Sequence, residues 1–585
     1  MSNLQKKLLS LSLLVIAGAF LIVLFYRGFN DPDEGRYSEV PREMVVSGNW
    51  LEMRMLGYHY YEKPPLTYWL VAPAIQLFGA RDWAVRVPLL INGLMLAGIF
   101  WLLARRKWER TTADIATLTM LSMIGFLAGT GLLLTDSFLV MWFALTCSAL
   151  FFGCQPGISA GARFLLFSVA SIAAALAFLT KGAVAIVLPP AIIFIWLLWE
   201  RRPAALRTWS VPWAILLCVG LLTPVMLLLE KHNPGFFHYF VIDEHFSRFT
   251  GTREIQLHPE PFWFFFMVIP LLLLPWTLFI VRAAWRLIAN RGWRTDSLSR
   301  FLLVWIVVVI GFFSASTGKL MSYILPAIPA LGLLLGRWGL TDREDNRRDR
   351  ILWNIGAAGL FIAALAILVV WSISYFKIIP KDIYPISGRS VVALLPIAVM
   401  LIVLSATRGY RAFAGLLGLN AGIVLSAALL LSPLAGKDFN VLLHINSSYV
   451  YKQLAAQLKP EDQIVVFWSY RPALPFYTQK IYVPFQDTNE LLYGMQAEPE
   501  RDWALKDKAQ LEVFLRKAPG RVFAVIEPQD MEKKFKPLGL STAPTTIPCD
   551  PDTIILELLP AQAPIIQSGR NKRKERHADA PYESR

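Results

Sequence analysis

Apolar runs of bilayer length recur along this chain, and no other feature constrains its fold as strongly. A hydrocarbon core of roughly 30 Å takes about 20 apolar residues per helix. Runs of this kind lie at 8–26, 87–104, 115–134, 138–153, 164–179, 182–199, 211–229, 262–281, 301–316, 320–336, 352–375, 391–405 and 412–432. They predict a polytopic α-helical membrane protein with about 13 transmembrane helices; the abutting pairs at 164–199 and 301–336 leave that count open by one. Composition agrees, with 55% hydrophobic and 17% charged residues, against about 25% charged in an average soluble protein. A soluble globular array and a disordered chain both fit that balance poorly.

The first run, Leu8–Tyr26, follows Lys6 and Lys7 and precedes no small-residue cleavage site. It reads as a retained anchor with its N-terminus inside. An odd number of spans puts the two termini on opposite sides. Alternate loops then carry Arg105, Arg106, Lys107 and Arg110; Arg163; Arg201, Arg202 and Arg207; Arg282–Arg300; Arg337–Arg350; and Arg408 with Arg411, which is the positive-inside pattern. The net charge is +15, from 57 Lys and Arg against 42 Asp and Glu. Residues 433–585 hold 20 basic and 19 acidic residues, so the excess belongs to the membrane part and reports topology. Nucleic acid is not an expected partner. Cys147, Cys154, Cys218 and Cys549 have no metal-type spacing, and no disulfide framework is implied.

Residues 1–432 therefore form a membrane domain with two long outer loops, 27–86 and 230–261. Residues 433–569 read as a soluble α/β domain on the same outer side. Its expected strands are Gln463–Trp468, Lys480–Val483, Val522–Ile526 and Thr553–Leu558, and its expected helices Tyr449–Leu458 and Gln510–Arg516. The basic tail 570–585 reads as disordered, with contact to lipid phosphates as its functional alternative.

Chemistry is expected in the outer loops. Asp33, Glu34 and Arg36 follow the first span directly, and Tyr37, Val40, Met44 and Val45 recur at helical spacing. That spacing predicts an amphipathic helix on the membrane interface, kinked by Pro41; the plain alternative is a surface helix whose acids pair with Arg36 and Arg42. Glu62 and Lys63 precede Pro64 and Pro65, which suit a first helical turn, so they mark a helix N-terminus able to bind phosphate. Asp136, Lys181, Lys319 and Tyr323 are polar residues at outer helix ends, where charge is costly unless paired or functional. The 230–261 loop adds His232, His238, Asp243, Glu244, His245, Arg248, Arg253 and His258. A divalent metal held by Glu62 with some of these stays open as an alternative.

The segments Asp33–Met44, Tyr60–Trp69, Arg81–Pro88, Leu134–Ser137, Leu179–Gly182 and Lys319–Pro326 together resemble the aminoarabinose transferases of lipid A. These belong to glycosyltransferase family 83, within the GT-C superfamily that also holds protein O-mannosyltransferases. The likeness runs in order through residue 435 or so. It implies a GT-C fold of thirteen helices, juxtamembrane helices in the first outer loop, and a periplasmic α/β domain in a bacterial inner-membrane protein. The implied activity moves a sugar, 4-amino-4-deoxy-L-arabinose, from undecaprenyl phosphate to a lipid A phosphate, which confers polymyxin resistance; no nucleotide or organic cofactor takes part. Position by position, the resemblance puts Asp33 on an acid required for activity with Arg36 beside it. Tyr60, Glu62 and Lys63 match the stretch before the second juxtamembrane helix, and Asp136, Lys181, Arg248 and Tyr323 match polar positions lining the cavity.

Such substrates explain the residue types. The leaving polyprenyl phosphate gains negative charge that Lys63, Arg36, Lys181 or Arg248 can stabilise, and a carboxylate such as Asp33 suits an oxocarbenium-like transition state. Two alternatives remain: a related transferase using another polyprenyl-phosphate sugar, for example galacturonic acid, or another acceptor; and a lipid flippase. The flippase is disfavoured because the charges crowd the outer surface and no internal repeat is visible.

Overall fold

A computed structural model of the chain describes scattered positions between 10 and 25 and residues 27–29, 31–242, 259–341, 351, 448–486, 489–499, 503–547 and 553–560. Among these are six helices long and apolar enough to cross a membrane: Ala84–Lys107, Thr135–Gly153, Ala160–Lys181, Ser210–His232, Ser297–Ala315 and Met321–Leu340. The protein is a multi-pass membrane protein. Two further runs expected to be straight are broken. Residues 110–131 form two helices bent by 63°, and residues 264–289 form two bent by 107°. Val184–Trp199 is helical but shorter than a full span. The expected helices at 352–375, 391–405 and 412–432, most of the first run, Arg248, Cys549 and the 570–585 tail lie outside the described residues.

In chain order, the elements that position the site are α1 (Asp33–Ser47), α2 (Leu66–Phe78), α3 (Val87–Lys107), α4 (Arg110–Leu121), α5 (Ile124–Gly131), α6 (Thr135–Gly153), α7 (Ala160–Lys181), α8 (Ser210–His232) and α9 (Ser297–Ala315). The centre of the bundle is α6 and Met321–Leu340, both buried over most of their length, while α8 is the least buried of the six, with only Ser210, Met226 and Leu229 buried among the described residues. α7 packs against α6, and its buried residues include Ala170, Ala173, Ala175 and Ala177. Small residues let helix backbones approach where no water drives them together.

The two broken runs satisfy each other. Ile124, at the start of α5, donates its N–H to the Leu274 carbonyl at 3.0 Å, and the Trp276 indole donates to the Ser122 hydroxyl at 3.0 Å. Irregular backbone at membrane depth persists only when protein supplies its hydrogen bonds, and here each break supplies the other.

The loops predicted to be cytoplasmic gather at one end. Arg202 bonds the Cys154 carbonyl at 2.8 Å, Arg300 pairs with Glu200 at 2.8 Å, Trp108 donates to Asp296 at 2.8 Å, and Arg337 lies 5.7 Å over the Trp108 ring. The first outer loop and the C-terminal domain occupy the other end.

In that domain β1 (Gln463–Phe467), β2 (Val483–Phe485), β3 (Val522–Ile526), β4 (Thr542–Pro544) and β5 (Ile554–Leu558) form one sheet in the order β2-β1-β3-β5-β4. β1 is parallel to β2 and β3, while β5 is antiparallel to β3 and β4. Alternation splits each central strand between two cores. Ile464, Val466, Phe523 and Val525 face a core shared with the first outer loop, whereas Val465, Phe467, Ala524 and Ile526 face the opposite layer. Strands buried on both faces read as unbroken apolar runs, which is why their positions were predictable.

The shared core corrects one expectation. α1 runs unbroken through Pro41, and its Tyr37, Val40 and Met44 are buried as the spacing predicts. They pack with Tyr58, Tyr68, Leu133, Phe138, Leu474 and Phe476, so α1 is clasped between helix ends and the C-terminal domain instead of lying on lipid. Gly35 marks the closeness, because a Cβ there would collide with the Ala473 backbone.

α1 is anchored by Glu34. Arg27 grips its carboxylate with two hydrogen bonds of 2.7 Å, Arg86 adds two of 3.1 and 3.4 Å, and the Leu133 N–H donates at 3.1 Å. Glu34 and Arg86 are fully buried, and Arg86 also bonds the carbonyls of Leu24, Arg27 and Gly28. Removing one member of such a network leaves uncompensated buried charge. Glu34→Ala is therefore expected to destabilise the protein by about 3–5 kcal/mol in denaturant unfolding in detergent, whereas Lys452→Ala, which breaks the half-exposed pair with Asp82, costs under about 1 kcal/mol.

Candidate active site

The start of α1 sets Asp33 and Arg36 one turn apart, so their side chains meet as an i,i+3 pair. Arg36 bonds Asp33 Oδ1 with one nitrogen and Glu490 Oε1 with another. Glu490 comes from the turn Asn489–Leu491 of the C-terminal domain, and its other oxygen accepts the Tyr60 hydroxyl at 2.8 Å. Burial alone would raise the Glu490 carboxyl, but the Arg36 ion pair, the nearby Lys63 and the Tyr60 hydroxyl hold it below its ordinary value. Arg36 is strengthened as a base in the same way. Burial works against its charge, and Tyr60, Tyr37, Glu490 and Asp33 more than compensate. Its guanidinium also lies 5.5 Å from the Tyr37 ring centre.

Glu62 and Lys63 sit just ahead of α2, whose cap is Pro65, as expected. Lys63 Nζ lies 3.8 Å from the Glu62 carboxylate and donates to the Glu62 carbonyl at 2.7 Å. The Tyr239 hydroxyl donates to Glu62 Oε1, and Tyr239 stands 4.5 Å from Tyr493 of the C-terminal domain, ring centre to ring centre.

Asp136, in the first turn of α6, forms an ion pair with Lys181, the last residue of α7. A cation at a helix C-terminus and an acid at an N-terminus each complement the helix dipole. Lys181 Nζ lies 4.3 Å over the Tyr323 ring. The side chain of Tyr37, next to Arg36, lies close to that of Thr135, next to Asp136, so the two charge clusters share one end of the bundle.

Lys319 is held elsewhere. It donates to the carbonyls of Glu260 (2.7 Å) and Ser316 (2.5 Å) and lines an open cavity of about 430 Å³ with Phe262, Ser314 and Thr317. Of the expected site residues, the structure thus brings together Asp33, Arg36, Tyr60, Glu62 and Lys63, and separately Asp136, Lys181 and Tyr323. Among the described residues no three acids, histidines or cysteines converge as a metal site needs; Glu62 faces a tyrosine and a lysine.

Sequence reasoning missed Glu490, which stands in an unpatterned loop 430 residues from its partner Tyr60. It also missed Asp31. This buried acid accepts the Ala473 N–H at 3.1 Å, and burial pushes its carboxyl up to about 7 although Arg471, the Ala473 N–H and Arg36 pull it down.

Comparison with known proteins places this geometry in context. Residues 62–228 match the family model described as dolichyl-phosphate-mannose-protein mannosyltransferase. The chain is 32% identical over 362 residues to an undecaprenyl phosphate-alpha-4-amino-4-deoxy-L-arabinose arabinosyl transferase of Pseudomonas savastanoi pv. phaseolicola, covering 60% of this chain and 65% of that one. It is 33% identical over 375 residues to a second such transferase, from Proteus mirabilis, covering 61% and 66%. The matched part thus spans just under two thirds of these relatives. The crystal structure of ArnT from Cupriavidus metallidurans bound to undecaprenyl phosphate superposes with a TM-score of 0.78 at 25% identity, covering 94% of this chain and 97% of that one.

The Asp31 environment makes a pH prediction. Its folded value lies above the ordinary 3.8, so the native state keeps a proton that the unfolded chain releases. Its contribution to stability is present below about pH 4 and is lost as pH rises through about 7. Asp31→Asn is expected to remove that part of the decline between pH 4 and 7, measured as thermal midpoint against pH in detergent.

Proposed function

This chain has the GT-C fold and is a relative of the undecaprenyl phosphate-aminoarabinose arabinosyl transferases, and on that premise we propose that it is a polyprenyl-phosphate-sugar-dependent glycosyltransferase. The proposed donor is undecaprenyl phosphate carrying 4-amino-4-deoxy-L-arabinose, and the proposed acceptor is a phosphate group of lipid A. The location that fits is the bacterial inner membrane with the site and the C-terminal domain on the periplasmic side. The observation that carries this reading is the convergence of two acids, Asp33 and Glu490, with the cations Arg36 and Lys63 at the bundle's end, beneath a soluble domain.

In the proposed reaction an oxygen of the acceptor phosphate bonds to the anomeric carbon as the bond from that carbon to the donor phosphate breaks. Undecaprenyl phosphate departs with the electron pair, in one displacement with inversion. The acceptor is already an anion, so no strong general base is required. The departing phosphate gains charge, and Lys63, Arg36 and Lys181 would offset it where water is sparse. The sugar passes through a cationic state. Asp33 supplies the compensating carboxylate, its orientation fixed by Arg36 through Oδ1. The same charges would favour an ammonium-bearing sugar near Asp33 and Glu490. Addition of such a sugar to lipid A masks a phosphate with a cation, which lowers attraction for cationic peptides such as polymyxin.

Purified protein given the aminopentose donor and lipid A, with no membrane gradient, is expected to yield lipid A with a modified phosphate and free undecaprenyl phosphate by mass spectrometry. Transfer only from a uronic-acid donor overturns the sugar assignment, and no transfer from any donor overturns the enzyme. Asp33→Asn is expected to lower kcat on the order of 10²–10³-fold with donor affinity little changed, because Asp33 is partly exposed and acts on the transition state.

A further inference from the structure

Three tyrosines from three segments interlock beside Glu62. Tyr61 comes from the first outer loop, Tyr239 from the second, just beyond α8, and Tyr493 from the C-terminal domain. Their ring centres stand 4.5 Å (Tyr239 to Tyr493), 5.2 Å (Tyr61 to Tyr493) and 6.3 Å (Tyr61 to Tyr239) apart. The Tyr61 hydroxyl donates to the Pro234 carbonyl at 3.2 Å and the Tyr493 hydroxyl to the Gly235 carbonyl at 3.4 Å, which pins the turn leading into Tyr239. Tyr239 is buried, and its hydroxyl, placed by this packing, donates to Glu62 Oε1.

That bond governs how far Glu62 neutralises Lys63. Tyr239 holds one carboxylate oxygen, Oε1, while the other, Oε2, stands 3.8 Å from Lys63 Nζ, too far for a direct hydrogen bond. An ammonium has three donors. Among the described residues Lys63 hydrogen-bonds only the Glu62 carbonyl, at 2.7 Å, and its side chain is 19% exposed. A lysine attracted by an acid but not closed upon it keeps donors and charge for an incoming anion. Full contact, at about 2.7–2.9 Å for such charged pairs, would set the acid in competition with that anion.

We propose that Tyr239 is a positioning residue for the donor's lipid phosphate: by holding one Glu62 oxygen it keeps the carboxylate from closing on Lys63 and so leaves the ammonium to the phosphate. The inference rests on the transferase reading above and deepens it. Tyr239 acts through Glu62 and touches no substrate itself. Through Tyr493 the same contact ties the C-terminal domain to phosphate binding.

Tyr239→Phe keeps the ring and its packing and removes only the hydroxyl. The test compares full-length wild type, Tyr239→Phe, Glu62→Gln and the double variant in detergent, measuring thermal midpoint and affinity for undecaprenyl phosphate. Tyr239→Phe is expected to keep its thermal midpoint close to wild type and to bind the lipid phosphate roughly 2- to 10-fold more weakly. An uncharged amide is not drawn onto an ammonium, so in the Glu62→Gln background the same substitution is expected to change affinity by less than about 2-fold. A merely structural role would weaken binding in both backgrounds. Unchanged affinity in Tyr239→Phe, or equal weakening with and without Glu62, overturns the positioning role and leaves the transferase reading standing. Wild type that binds no undecaprenyl phosphate overturns both.

Discussion

One buried carboxylate organises the outer end of this molecule. Glu34, gripped by Arg27 and Arg86 and capped by the Leu133 N–H, joins four segments: the exit of the first apolar run, the start of α1, the entry to α3 and the link between α5 and α6. Two cations and one acid in a water-poor place are tolerable only with nearly every donor and acceptor satisfied, and the carbonyls of Leu24, Arg27, Gly28 and Gly131 do this. With Glu34 fixed inward, the helical repeat leaves Asp33 and Arg36 directed away from it. The Asp33–Arg36 pair therefore stands where it does because the neighbouring acid is held in place.

The second constraint is the clasp between α1 and the C-terminal domain. Gly35 allows the Ala473 backbone to close on the helix, and Gly494 allows a similar approach to His59, where any Cβ would meet the carbonyl. These contacts bring Glu490 to Arg36 and Tyr60. The C-terminal domain is thus part of the charge cluster, and burial under it strengthens the electrostatics of groups that a loop alone would leave in water.

Much of this was legible in the sequence. Apolar length located the six long described spans, and apolar runs located β1, β3 and β5 within a residue or so of the observed Gln463–Phe467, Val522–Ile526 and Ile554–Leu558. Polar residues stranded at helix ends picked out Asp136 and Lys181, which pair. Periodicity identified the buried face of α1 but not its cover, since Tyr37, Val40 and Met44 look the same against lipid as against protein. The breaks near residues 122 and 274 were hidden because hydropathy reports solvent preference and is blind to backbone direction. Glu490 was invisible for a different reason: its role arises from a long-range approach that leaves no local spacing.

These constraints support the proposed glycosyl transfer at the junction of α1 with the C-terminal domain. The most direct test is an experimental structure of the protein bound to an unreactive analogue of the sugar-bearing undecaprenyl phosphate. The account predicts the sugar beside Asp33 and Arg36, with the lipid phosphate beside Lys63 and Lys181. A sugar bound near the middle of the helical bundle, away from Asp33 and Arg36, would contradict it.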